Sequence, residues 1–160
     1  METPGPVDRS SATTRVPFRR ILVAVDGSDH AFEAVRVAAG LAAALSGKLT
    51  LMTAYHAPSD SLGEPNYSRA LGEALGEAQR ILEEARGVAL NAGAREPQME
   101  WLAGPPAETV VQTARAGDYD LVVVGSHGRG RLRAALLGSV SSAVAAHAGR
   151  PVLVVGEPAR

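Results

Sequence analysis

Short apolar runs alternate with longer segments whose apolar residues recur at helical spacing, and this alternation limits the chain to few folds. RILVAV, at 20–25, is apolar from Ile21 on with no alternation, as expected for a strand covered on both faces. Residues 49–55 and 98–102 alternate apolar with polar and read as strands, the latter near a sheet edge. Residues 120–124 and Val152–Val155 complete five expected strands, the fourth fully buried. Between them, Phe32, Val35, Ala39 and Ala42 follow a Ser28 N-cap and predict a helix that ends by Gly47. Leu71, Leu75, Ala78, Leu82, Ala85 and Ala89 predict a second helix over 67–92. Pro105-Pro106 opens a third that Gly117 ends, and Gly149 with Pro151 stops a fourth over 139–148. The turn-forming HAPSDSLGEPN reads as a long loop. Strict alternation implies βαβ units with right-handed crossovers, hence an α/β fold with an open, five-stranded parallel sheet and helices on both faces.

The first and fourth strands are the most apolar early and late runs. If they are neighbours, the strand order is 3-2-1-4-5, and its reversal opens a ligand crevice at their C-terminal tips. Those tips carry Asp26-Gly27-Ser28 and Gly125-Ser126-His127-Gly128. The second tip continues as GSHGRGRLRAALLG, with four glycines and three arginines in fourteen residues. Glycine is costly to order, so such density implies a backbone that takes unusual dihedrals or admits a close approach. A loop of this kind can turn N–H groups inward as an anion nest, and a helix starting at an N-cap Ser139 adds its positive end. At roughly 1.5–3 kcal/mol per bond to a charged oxygen, three or four N–H groups hold a phosphate chain without lysine. Lys48 is the only lysine, and SGKL around it lacks the P-loop pattern. The dinucleotide pattern G-x-G-x-x-G also fails, since Arg133 stands where its third glycine belongs.

Composition removes other classes. A net charge of −1 over 160 residues favours no nucleic-acid partner, so the arginines are a local matter. The absence of cysteine excludes disulfides and thiolate chemistry, and the four histidines share no metal-ligand spacing. No apolar run is long enough to span a bilayer, and the expected location is the cytoplasm. Residues 1–17 are polar and proline-bearing and predict a disordered tail; 18–156 form the expected domain, and 157–160 a short C-terminal tail.

Gly125-x2-Gly128-x9-Gly138-Ser139-Val140 lies between the fourth strand and Pro151-Val152-Leu153-Val154-Val155, and at the other end stands Val23-Ala24-Val25-Asp26-Gly27-Ser28. Together these resemble the nucleotide motif and the first strand and turn of the universal stress protein family, over about residues 18–156. The resemblance implies the 3-2-1-4-5 sheet, dimerisation, a stress-signalling role and, in nucleotide-binding members, ATP with Mg²⁺ held through the phosphates. It places adenine against the backbone near Asp26 and Leu49, with Ala24 and Val124 flanking the base. It places Gly125 at the ribose, and Gly128, Gly138, Ser139 and Val140 around the phosphates. Related ATP binders can carry proline in the first strand where this chain has Ala24, and His-Val where it has Thr53-Ala54.

Each assignment has a simpler counterpart. Asp26 is either a ligand contact or a turn residue, and Ser139 caps a helix with or without a ligand. Arg129, Arg131 and Arg133 either reach the outer phosphates, Arg129 first, or are solvated. A Ser126–His127–Asp26 triad is rejected because neighbouring loop side chains rarely converge and no nucleophile elbow is present. The expected function is therefore ATP binding by a regulatory module. Slow ATP hydrolysis or nucleotidyl transfer on the same fold is the enzymatic alternative, disfavoured by the lack of a general base in the motif. The other is an interaction module that takes cyclic AMP or no nucleotide. Apolar on both faces yet at a sheet edge, the fifth strand predicts a homodimer through Val152–Val155.

Overall fold

β1 (Arg20–Ala24) leads into α1 (Asp29–Leu45) through a turn that Ser28 closes, its hydroxyl accepting the Ala31 N–H at 3.2 Å. The computed structural model describes residues 18–128 and 137–156. The two expected tails, and Arg129, Arg131 and Arg133 of the glycine loop, lie outside the described residues. α1 turns Ala31, Ala34, Val35, Ala38, Ala39 and Ala42 toward the sheet, and these mostly small side chains let the helix lie close. It ends at Ser46, whose left-handed backbone bonds back to the last carbonyls.

Then follow β2 (Lys48–Tyr55), α2 (Asn66–Asn91), β3 (Gln98–Ala103), α3 (Pro106–Ala116), β4 (Leu121–Gly125), α4 (Ser139–His147) and β5 (Val152–Val155). The five strands form one sheet in the order β3-β2-β1-β4-β5, and every paired neighbour runs parallel. Helices α1 and α2 cover one face over Ile21, Val23, Leu51 and Val123; α3 and α4 cover the other over Leu22, Met52 and Val122. β1 and β4 meet in the middle, where Ile21, Leu22, Val23, Val122 and Val123 are fully buried. That explains their unbroken apolar runs: a strand covered on both faces has no solvent side to mark with polar residues.

Boundaries shift locally. β4 starts one residue later than expected and takes in Gly125; just before it, the Asp120 carboxylate accepts the N–H groups of Arg19 and Arg20, each at 2.9 Å. β3 runs on to Ala103, α2 covers Asn66–Asn91, α4 ends at His147, and the long loop contains a 3₁₀ turn at Asp60–Leu62. One assignment is corrected: the N-cap of α4 is Gly138 and not Ser139. Gly138 holds the extended backbone of a cap, so Ser139 is already helical, and among the described residues no side chain caps this helix.

Candidate functional site

A cavity of about 270 Å³ opens where the strand order reverses, between the tips of β1 and β4. Its apolar wall is built by Ala24, Met52, Ala54, Val110 and Val124. Its polar end is built by Asp26, His127, Gly128 and the start of α4 from Gly138 to Ser141. Right-handed crossovers send neighbouring connections to opposite faces at this point, so the sheet alone leaves a gap here.

Asp26 is fixed from below. One carboxylate oxygen accepts both the Ser28 N–H at 3.0 Å and the Ser28 hydroxyl at 2.6 Å. The other lies where a β-carbon on Gly128 would stand, 2.5 Å away. Asp26 thus forms the turn and also borders the cavity. A β-carbon on Gly125 would meet the backbone of His30 and Ala31 at 2.8–3.0 Å, so this glycine allows the first turn of α1 to press against the end of β4. The resemblance places it at the ribose; its closest demand comes from the protein's own helix.

Ser126 joins several segments. Its N–H donates to the Val155 carbonyl at the end of β5, and its carbonyl accepts the Gly138 N–H, both at 2.7 Å. The Ser141 hydroxyl reaches that same carbonyl at 2.9 Å. Its own hydroxyl lies 3.0 Å from His30 Nδ1 and 3.2 Å from His127 Nδ1, and the two rings are tilted with centroids 5.4 Å apart. These contacts seat the N-terminus of α4 at the cavity mouth. Its first-turn N–H groups, which have no intrahelical partner, and its positive dipole end then suit an anion.

Of the residues expected at the site, Ala24, Asp26, Val124, Gly125, Gly128, Gly138, Ser139 and Val140 all line the cavity. Arg129 is outside the described residues. Leu49 is corrected: it pairs with Ile21 in the core of the α1–α2 face, three residues before the strand tip. At about 3.3 Å per residue that is about 10 Å from the crevice. In the parallel register Met52 pairs with Ala24, and Met52 and Ala54 take the place expected for Leu49. Of the rejected Ser126–His127–Asp26 triad, Ser126 and His127 do meet, and His30 joins them at the same hydroxyl. His30 sits in the first turn of α1 and does not itself line the cavity. Among the described residues no group of three or more His, Cys, Asp or Glu side chains could hold a metal ion.

Comparisons agree with this arrangement. A model of the universal stress protein family matches residues 17–156. The universal stress protein encoded in the QAH/OAS sulfhydrylase 3' region of Thermus aquaticus is 41% identical over 138 residues, covering 86% of this chain and 98% of that protein. Among solved structures, a universal stress protein in complex with cAMP is 32% identical with a TM-score of 0.66, over 87% of this chain and 97% of that one. The universal stress protein of Archaeoglobus fulgidus in complex with dAMP is 26% identical, with a TM-score of 0.68 over 86% and 98%. UspA from Lactobacillus plantarum reaches a TM-score of 0.76 at 25% identity, over 87% and 98%. With the sheet order, the glycine spacing and these likenesses in agreement, the chain belongs to the universal stress protein family.

Proposed function

We propose that this protein binds an adenine nucleotide, with ATP as the intracellular ligand, and acts as a regulatory module in a stress response. The observation that carries the reading is the two-ended cavity at the strand reversal: an apolar slot beside an uncapped helix N-terminus. A base fits the slot formed by Ala24, Met52, Ala54, Val110 and Val124. Phosphates fit the other end, where the first-turn N–H groups of α4 supply donors without a lysine. Asp26 can only accept, so it suits a ribose hydroxyl or a base N–H and repels phosphate. Mg²⁺, as the usual companion of ATP, would enter on the phosphate oxygens.

The complexes of relatives with cAMP and dAMP support the adenine class and make cyclic AMP the leading competitor for the same slot. The strand edge at β5, with Val152, Leu153, Val154 and Val155 each half-buried, supports a homodimer in which the β5 edges pair.

Mass analysis of the small molecules released when freshly purified protein is denatured tests the ligand directly. An adenine nucleotide at near one equivalent per chain is expected, with ATP dominant. Cyclic AMP in its place would reassign the ligand, and recovery of a non-adenine compound would overturn the reading.

A further inference from the structure

The sheet face that forms the floor of the apolar slot does not end at β2. Met52 and, two residues on, Ala54 point to the same face, the one that Val110 of α3 covers. In the parallel register Glu100 stands beside Met52 and Leu102 beside Ala54, so both continue that face onto the edge strand β3. Neighbouring strands lie about 4.8 Å apart, which puts Leu102 one strand beyond Ala54 of the cavity wall. Leu102 is 40% exposed, an apolar side chain at the outer end of an apolar slot. We infer that this end is a subsite, with Leu102 as its floor, for an apolar group carried on the 6-amino nitrogen of the adenine. N6-substituted adenine nucleotides then belong to the ligand class alongside ATP. The inference rests on the adenine reading above and extends it to the far edge of the base.

The direction of the base follows from the two ends of the site. With phosphates at the first turn of α4, the ribose lies by the tips of β1 and β4 and the base reaches toward β2. In a purine the nitrogen joined to ribose and the 6-amino group stand at opposite ends, so the amino group faces Ala54 and, past it, Leu102. Ala54 places only a methyl group in that path. The opposite wall is held in place by the turn from β3 into α3. There the Gly104 N–H donates to the Tyr55 carbonyl at 2.9 Å, and the Thr109 hydroxyl to the Pro105 carbonyl at 2.7 Å. Pro106, the next residue, lines the cavity from the α3 side. Charge decides what kind of group fits. The Glu100 carboxylate, on the same face of β3 and partly buried, repels a second phosphate, so the subsite suits a neutral apolar group and not the tail of a dinucleotide. A singly substituted amino group keeps one N–H, so the base loses no more than one donor in gaining the apolar contact.

Parallel calorimetric titrations with Mg·ATP and Mg·N6-benzyl-ATP test this. The benzyl compound is expected to bind about fivefold more tightly, through apolar area covered on Leu102. Leu102→Gln, a neutral change at an exposed position, is expected to remove that gain while ATP binds as before and the melting temperature stays near that of the wild type. Equal or weaker binding of N6-benzyl-ATP by the wild type, with ATP still bound, would overturn the subsite. So would a gain that survived Leu102→Gln, since the benzyl group would then rest elsewhere. Binding of neither nucleotide would instead overturn the adenine reading, and the subsite with it.

Discussion

At the residue scale the glycines of the loop divide by what their missing side chains admit. Gly125 admits the protein's own α1 backbone, which cannot yield, whereas Gly128 admits a carboxylate at the edge of the cavity. Gly125→Ala is therefore expected to destabilise the fold by about 1–3 kcal/mol, as overpacking does, in a denaturant titration. Gly128→Val is expected to leave stability nearly unchanged, because the site is exposed, but to push Asp26 aside and weaken ATP by about tenfold or more, as loss of a bond to a charged group would. The reverse pattern would mean that Gly128 serves the fold. Gly138 is an intermediate case: its added β-carbon would stand 3.3 Å from the Ser126 carbonyl, so Gly138→Val presses on the hub as well as on the ligand.

At the element scale, side chains outside the core fasten the sheet and helix ends. Asp120 ties the start of β1 to the start of β4 through two backbone N–H groups. Asp120→Ala should cost about 1–2 kcal/mol, seen as a melting-temperature drop of a few degrees, while Asp120→Asn keeps part of it. Arg86 on α2 pairs with Glu96 in the connection to β3, and its hydrogen bond holds the Glu96 carboxyl below the ordinary carboxylate range. A carboxylate lowered on folding stabilises above its unfolded pKa, and that contribution is lost as pH falls through the lowered value. Arg86→Ala is expected to raise the Glu96 midpoint in an NMR titration; no movement would contradict the pairing. These links also mark what sequence reading could reach. β1 and β4 were legible as central because Ile21 to Val23 and Val122 to Val124 have no polar face, and from their adjacency the crevice followed. The strand register was not legible: nothing in LTLMTAY says that Met52 instead of Leu49 lies level with Ala24 and lines the cavity. His30 was missed because its partners are 96 and 97 residues away and meet it only once α1 packs against β4.

At the scale of the whole molecule, Ser126 bonds both the start of α4 and the end of β5, so the proposed nucleotide and the proposed subunit contact would share one segment. Light scattering at micromolar concentration should give a dimer, and Val154→Lys at the half-buried edge should shift it toward monomer with the fold kept. A wild-type monomer would remove the β5 pairing. The central claim, a base in the slot and phosphate at the helix, is tested most directly by calorimetric titration with adenosine, cyclic AMP and Mg·ATP in parallel. ATP should bind tightest and adenosine at least about tenfold more weakly, the difference carried by N–H donors worth about 1.5–3 kcal/mol each. Equal affinity for adenosine and ATP, or binding of neither, would contradict it.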